Sequence, residues 1–486
     1  MVRRRLRSRG RHRTARGAER TLVIGGGLVG CVLAIHLVRR GLDVTVYERA
    51  PDLRHRTPGR APALSLSLCT RGTASLTRLG LMDRLGPLLA PAFGRMIHAP
   101  NGDADYQPYS VFGEAIHCVS RRELGIALLN AAEAAGVEIV FERRLVDMDV
   151  STGSIIVEDI DGRRARDRGN AVFGADGVHS TVRSHLARDG WCEASHVAAD
   201  ESYVAFRIDV DGAARTGLRF DALHGWPRPE MIAGAFPEAG GSFSGTLHTP
   251  LPRPAASVQG SHQPTLAAVV ERECPDLASA APDLAEQLAA QRPNRPGTVR
   301  CRPWSAAGRV LLVGDAAHAM LPYYGQGANA GFEDCAILDS LIDRYGTDWE
   351  PVFEAFEGGR RPDTDAMADL CQEHLAILRD DSSRPEFQRQ WRFEQQLHRL
   401  MPDTFMPLYS MIAFSSLSYA EARRRDRLQE QLVRELLEDG NVVRQLANPA
   451  LARAESRRIR ARLNQIFDSS VAAGPGTRRG GRATSP

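Results

Sequence analysis

The stretch Thr21-Leu22-Val23-Ile24-Gly25-Gly26-Gly27-Leu28-Val29-Gly30 decides how this chain of 486 residues is read. Residues 21–24 form a short β-branched run, the turn Gly25-x-Gly27-x-x-Gly30 follows, and an apolar helical stretch continues to about Arg40. Asp43-Val44-Thr45-Val46-Tyr47 reads as a second strand ending at the acid Glu48, 23 positions after the first glycine. Strand, glycine turn, helix, strand and acid together make a dinucleotide-binding unit. The glycines let a pyrophosphate approach the helix N-terminus, whose free amides and positive dipole end favour phosphate, and the acid accepts from the ribose. This unit alone does not separate FAD from a nicotinamide dinucleotide.

A second cluster does. Arg309-Val310-Leu311-Leu312-Val313 reads as a buried strand running into Gly314-Asp315-Ala316-Ala317-His318, and Pro322-Tyr323-Tyr324-Gly325-Gln326-Gly327-Ala328-Asn329-Ala330-Gly331 comes next. From Asn329 the spacing of Phe332, Ala336, Ile337 and Leu341 predicts an amphipathic helix. An acid at a strand end binds the ribityl chain of a flavin, and a following helix N-terminus aims its amides at the ring. Between the two clusters stands Gly174-Ala175-Asp176-Gly177, with Ser180, Thr181 and Arg183 close behind.

Composition narrows the chemistry. All 62 basic residues are arginine; the absence of lysine excludes a P-loop lysine, a Schiff base and lysine-dependent flavin halogenation. Nine arginines and one glutamate fall in residues 1–20, so the basic net charge of +3 comes from the ends and the body between them is acidic. No aromatic residue is interleaved with the N-terminal arginines, which favours a solvated tail over a nucleic-acid partner. The eight cysteines show no CxxC pair and no zinc spacing, which supports neither a metal site nor a disulfide oxidoreductase and fits a cytoplasmic setting. No apolar run reaches the length of a membrane span. His98 and His318 read as packing or hydrogen-bonding residues, not catalytic bases.

The expected fold class is α/β: a Rossmann-like FAD-binding domain with an antiparallel-sheet substrate domain and C-terminal helices. Residues 1–20 are expected as an arginine-rich extension. Residues 21–94, 118–198 and 300–368 form the discontinuous FAD-binding domain, and 95–117 with 199–299 form the substrate sheet. Residues 369–470 form the helical region and 471–486 a tail. Alternating runs at residues 203–208 and 242–247 mark strands of the substrate sheet, and the arginine–glutamate pairs of residues 421–467 mark a solvated helix face.

In this order, Gly25-x-Gly27-x-x-Gly30, Asp176-Gly177 and Gly314-Asp315 resemble the single-component FAD aromatic hydroxylases with the para-hydroxybenzoate hydroxylase fold. Within them the chain is similar to the kynurenine 3-monooxygenase family, through Arg95-Met96-Ile97-His98, Val119-Ser120-Arg121, residues 180–186, Trp226-Pro227-Arg228 and the run from Gly325-Gln326-Gly327 to Cys335. The resemblance implies FAD, with NADPH or NADH as co-substrate, and hydroxylation of a small aromatic amino acid by O2 through a flavin C4a-hydroperoxide. It implies FAD contacts at Val29, Glu48, Arg121, Leu145, Asp315, Ala328 and Asn329, beside Gly25, Gly27, Gly30, Asp176 and Gly327. It implies a substrate-carboxylate clamp of Arg95 and Tyr109, closed by Tyr409. No residue is expected to act as a catalytic acid or base, because the ring amino group activates the ortho carbon. Three departures surround the ring pocket: His374 where the family carries asparagine, Tyr323-Tyr324 for a phenylalanine pair, and an altered segment at residues 62–69. They admit a ring-substituted kynurenine, or another arylamine acid of an antibiotic or similar secondary pathway, beside L-kynurenine. The non-enzyme alternative is a flavin-binding protein with an inactive pocket. Oligomeric state is not legible.

Overall fold

The computed structural model describes residues 19–56, 64–229, 231–250, 265–377 and 385–472. Strand Arg20–Ile24 lies inside a six-stranded sheet ordered Ser305–Ala306, Val310–Leu312, Ala171–Gly174, Arg20–Ile24, Asp43–Tyr47, Glu138–Val140. All neighbours are parallel except the first pair. Leu22 and Val23 are fully buried, as a strand covered on both faces requires, and this is why the run is apolar without alternation. Arg20–Ile24, Ala171–Gly174 and Val310–Leu312 are adjacent and parallel, so Gly25, Asp176 and Gly314 all leave the same edge of the sheet. That edge, the carboxyl ends of the strands, is where open α/β sheets hold their ligands. Arg20, at the last position of the expected extension, is the first residue of its strand and pairs with Asp43 and Asp167. Apart from Glu19, the rest of that extension and nearly all of the expected tail lie outside the described residues.

The second sheet runs Glu201–Ile208, Phe243–Pro250, Met231–Pro237, Ala222–Arg228, Gly94–His98, Ala104–Pro108. It is antiparallel, as expected, except where Ala222–Arg228 meets Gly94–His98 in parallel. The reason is connectivity: Gly94–His98 and Ala104–Pro108 form a hairpin from an earlier part of the chain, and no tight turn ties its direction to Ala222–Arg228. Helices Leu266–Glu273, Pro275–Ala280 and Leu284–Ala289 share one core with this sheet, Val270, Leu277 and Leu284 packing with Phe206, Trp226 and Phe243. Strand Ile116–Ser120 lies in a separate small sheet between Ser65–Leu68 and Ala90–Ala92.

From Trp349 onward the described chain is almost entirely helical. Helix Trp349–Ala376 carries Pro362 inside it and spans the expected boundary at residue 368. Helix Tyr419–Glu438 turns Ala422, Leu432 and Val433 inward and bears surface pairs such as Arg424 with Glu421 and Arg434 with Glu430, the charge pattern expected of a half-solvated helix. Short helix Leu408–Phe414 lays Tyr409 and Phe414 against Ala90, Ala92 and Ile116. No described helix is long and apolar enough to cross a membrane.

Candidate active site

The candidate cofactor cradle is made largely of backbone. A Cβ on Gly25 would stand 2.5 Å from the Ala175 oxygen, and one on Gly30 would stand 1.9 Å from the Gly25 oxygen, so neither position accepts a side chain. A Cβ on Gly27 would meet nothing within 4 Å, so the turn is open there. Helix Leu28–Arg39 begins there with no side-chain cap and no acid in its first turn, which leaves its first amides for an anion. Gly26 N–H donates to Glu48 Oε2 and Ala50 N–H to Glu48 Oε1, both at 2.7 Å, fixing the carboxylate at the end of the second strand. Helix Gly327–Tyr345 also starts uncapped and without an acid in its first turn, so Gly327, Ala328 and Asn329 present free amides. These features fit a dinucleotide whose phosphates and ring take up hydrogen bonds that the protein does not make itself.

Val29 brings the motifs together. Gly314 and Gly331 both face its side chain, with a Cβ on Gly331 falling 2.5 Å from Val29 Cγ2, and the Cys335 thiol donates to the Val29 oxygen. Asn329 is fully buried: its amide donates to the Ser67 and Gly325 oxygens, and its Oδ1 accepts from Cys69 N–H at 2.9 Å. Its side chain is thereby committed to the protein, leaving only its backbone for a flavin. Asp176 Oδ2 accepts from Thr181 and Val182 N–H at the start of helix Thr181–Arg188, while its Oδ1 is buried without a hydrogen-bond partner among the described residues. Leu145 contributes its side chain to the core of this domain. Arg121 is exposed at the start of helix Arg121–Ala134, within electrostatic reach of Tyr203. Asp315 opens helix Asp315–His318 beside Gly327.

Sequence reasoning missed what holds that turn. Asp334, fully buried, accepts from Gly314 N–H at 3.0 Å and makes a 2.7 Å contact with His318 Nε2, while Arg360 Nε donates to its other oxygen at 2.7 Å. Burial alone would raise this carboxyl, but His318 and Arg360 outweigh it and hold it at about 2. His318 is therefore a structural partner, and His98 likewise pairs with Asp276 at 2.8 Å and stacks on Trp226.

The candidate substrate pocket is made of side chains. Arg95 and Gln107 stand directly opposite on antiparallel strands, and Tyr109, the residue after strand Ala104–Pro108, donates its N–H to the Phe93 oxygen at 2.9 Å and lies within electrostatic reach of Arg95. Arg95 Nε donates to Gln107 Oε1 at 2.8 Å, and Arg95 has no acidic partner among the described residues. The Tyr109 and Tyr409 rings stack at 4.8 Å, and the Tyr324 ring stacks 6.4 Å from that of Tyr409. His374 packs on Tyr324 with ring centroids 4.3 Å apart. Burial pushes all three phenols up, keeping them protonated as donors. Burial, then the charge of Arg95, push His374 down to about 3, so its imidazole is neutral. The structure thus gathers Arg95, Tyr109, Tyr324, His374 and Tyr409 from four separate parts of the chain. Tyr323 points elsewhere, its ring 5.7 Å from His248 and its hydroxyl buried without a hydrogen-bond partner among the described residues. Pro62 and Ala63 of the altered segment lie outside the described residues. Gln107 and the Tyr419 hydroxyl, which donates to Gln326 Oε1 at 2.8 Å, carried no signal in the sequence because neither sits in a local motif.

Residues 19–344 match the family model described as FAD binding domain. The chain is 36% identical over 419 residues to the kynurenine 3-monooxygenase of Myxococcus xanthus, covering 86% of this chain and 90% of that protein. It is 34% identical over 449 residues to the kynurenine 3-monooxygenase of Salinispora tropica, covering 91% and 98%. Among solved structures it resembles 2-methyl-3-hydroxypyridine-5-carboxylic acid oxygenase, with a TM-score of 0.62 at 24% identity over 76% of this chain and 95% of that one. It also resembles Klebsiella pneumoniae HpxO complexed with FAD and uric acid, with a TM-score of 0.61 at 22% identity over 79% and 94%. These structural likenesses establish the fold, and the sequence matches establish the relationship: the chain belongs to the kynurenine 3-monooxygenase family of FAD-dependent aromatic monooxygenases.

Proposed function

We propose that this protein uses NADPH or NADH and O2 to hydroxylate the aromatic ring of L-kynurenine, or of a ring-substituted kynurenine, at the 3-position. The observation that carries the reading is Arg95, a guanidinium without an acid among the described residues, facing three protonated phenols and a neutral imidazole. An amino-acid carboxylate supplies the missing charge, with Arg95 gripping it and the Tyr109 and Tyr409 hydroxyls adding donors. Tyr324 and His374 offer flat faces to an aryl group, and their neutrality keeps that end of the pocket free of competing charge. Gly27, the first turn of helix Leu28–Arg39 and Glu48 would hold the FAD pyrophosphate and ribose, and Asp315 with the amides of Gly327–Asn329 the flavin. When bound, FAD supplies the reduction of O2 and the oxygen transfer. The protein's part is to orient the ring carbon and exclude water, and no side chain is assigned as acid or base. Eight buried, unpaired cysteines are in keeping with a cytoplasmic location.

The test is NAD(P)H oxidation by the purified, FAD-loaded protein across a panel of kynurenines. Substrate-stimulated oxidation with at least one of them is expected. Oxidation that no kynurenine stimulates contradicts the reading.

A further inference from the structure

We propose that Gln107 is a positioning residue that decides which edge of Arg95 meets the substrate, turning a mobile guanidinium into an end-on carboxylate receptor. This inference rests on the carboxylate clamp proposed above.

The geometry is simple. Gln107 is fully buried, 1% exposed, and directly opposite Arg95 in the sheet. Its Oε1 accepts from Arg95 Nε, while its Nε2 donates to Asp105 Oδ2 at 3.2 Å. A carboxylate only accepts, so Asp105 fixes the amide's orientation: the NH2 must face Asp105 and the oxygen must face Arg95. Asp105 in turn lies 3.7 Å from Arg392 on helix Pro385–Leu400. A carboxylate can be gripped bidentately either through the Nε edge of a guanidinium or through its Nη1/Nη2 end. With Nε occupied by Gln107, only the end-on face is open, and the guanidinium plane is held by one strand-to-strand bond. A neutral amide is the partner required here. A glutamate at position 107 would satisfy Nε but also neutralise Arg95 and compete with the ligand, whereas an apolar residue would leave both the torsion and the edge unspecified. The three residues Asp105, Gln107 and Arg95 thus form a line of hydrogen bonds that positions the clamp without touching the substrate.

The experiment compares kcat/KM for a turned-over kynurenine with that for the same ketone lacking the carboxylate, in the FAD-loaded full chain. In the wild type the acid is preferred. Gln107→Leu is expected to lower kcat/KM for the acid about 10-fold, mainly through KM, and to leave the decarboxylated amine within about 2-fold. Gln107→Glu is expected to cost the acid about 100-fold or more and the amine little. Asp105→Asn, at a half-exposed edge position, removes the constraint on the amide without emptying the core and should cost the acid about 3-fold; it decides the matter if the Gln107 variants do not fold. A purely structural role would lower both substrates together, and that result overturns the proposal. Arg95→Ala separates the two levels. If it abolishes the preference for the acid while Gln107→Leu and Asp105→Asn do not touch it, Gln107 has no positioning role. If Arg95→Ala itself leaves the preference intact, the clamp is wrong and this inference falls with it.

Discussion

In the cofactor half, the groups aimed at a ligand are backbone amides at two uncapped helix starts, and the residues that matter are those with no side chain, such as Gly25 and Gly30. In the proposed substrate pocket, the groups are side chains carried by two sheet strands or the residue that follows one of them, a 3-10 turn and two helices of the C-terminal half. A backbone site is written in consecutive residues, because a turn and a helix start are local. A side-chain pocket is written across more than 300 positions, from Arg95 to Tyr409, and exists only once the fold has closed. The two regions therefore fail differently when altered, and the predictions below are ways to pull them apart.

The largest effect belongs to the cradle. Gly30→Ala places a methyl where the Gly25 oxygen already stands, so the turn must open and the purified protein should retain less than about a tenth of its FAD, read from the ratio of flavin to protein absorbance. Retention of full flavin would show that the turn does not carry the cofactor. Next comes Arg95→Ala, for which kcat/KM should fall roughly 100-fold or more while FAD content stays at the wild-type level. A variant that loses flavin and substrate affinity together would erase the distinction between the two regions. A smaller, qualitative change is expected from His374→Asn: the overall rate should move by about 10-fold or less, but the ranking among ring-substituted kynurenines should change, since His374 packs directly on Tyr324. An unchanged ranking removes His374 from specificity.

The smallest effect concerns the helices behind the pocket. Burial, with the charge of Glu430, raises the Glu394 carboxyl to about 7, and burial with Glu394, Glu430 and Glu373 does the same to Asp426. A carboxyl whose folded value is raised binds more protons folded than unfolded. Its contribution therefore favours the fold at acid pH and is lost as pH rises through about 7. Glu394→Gln, neutral at every pH, should raise the melting temperature by about 1–3 °C at pH 8, with the gain shrinking toward pH 5. A gain independent of pH would refute the assignment.

How much was legible follows from the same contrast. The glycine turn, Glu48, the Asp176 turn and the Gly314-Asp315 segment could be ordered from the sequence, because each is a short run with its own backbone requirement. The mixed direction of the second sheet could not, since it depends on an early hairpin docking beside a strand more than 100 residues later. The pocket residues Arg95, Tyr109 and Tyr409 came from family resemblance, not from spacing. Gln107 and Asp334 escaped altogether: each acts through a partner that only the folded chain brings near, Arg95 across a strand pair and Gly314 across a helix. Asn329 shows the converse. Its motif was plain, yet the folded chain commits its side chain to Ser67, Cys69 and Gly325.

The most direct test of the central claim is the product. FAD-loaded enzyme supplied with NADPH or NADH, L-kynurenine and its ring-substituted analogues should yield, for at least one of them, a product one oxygen heavier and hydroxylated at ring position 3 by mass spectrometry and NMR. Reduced nicotinamide consumed with peroxide as the only product, or a hydroxyl placed elsewhere than position 3, would contradict it.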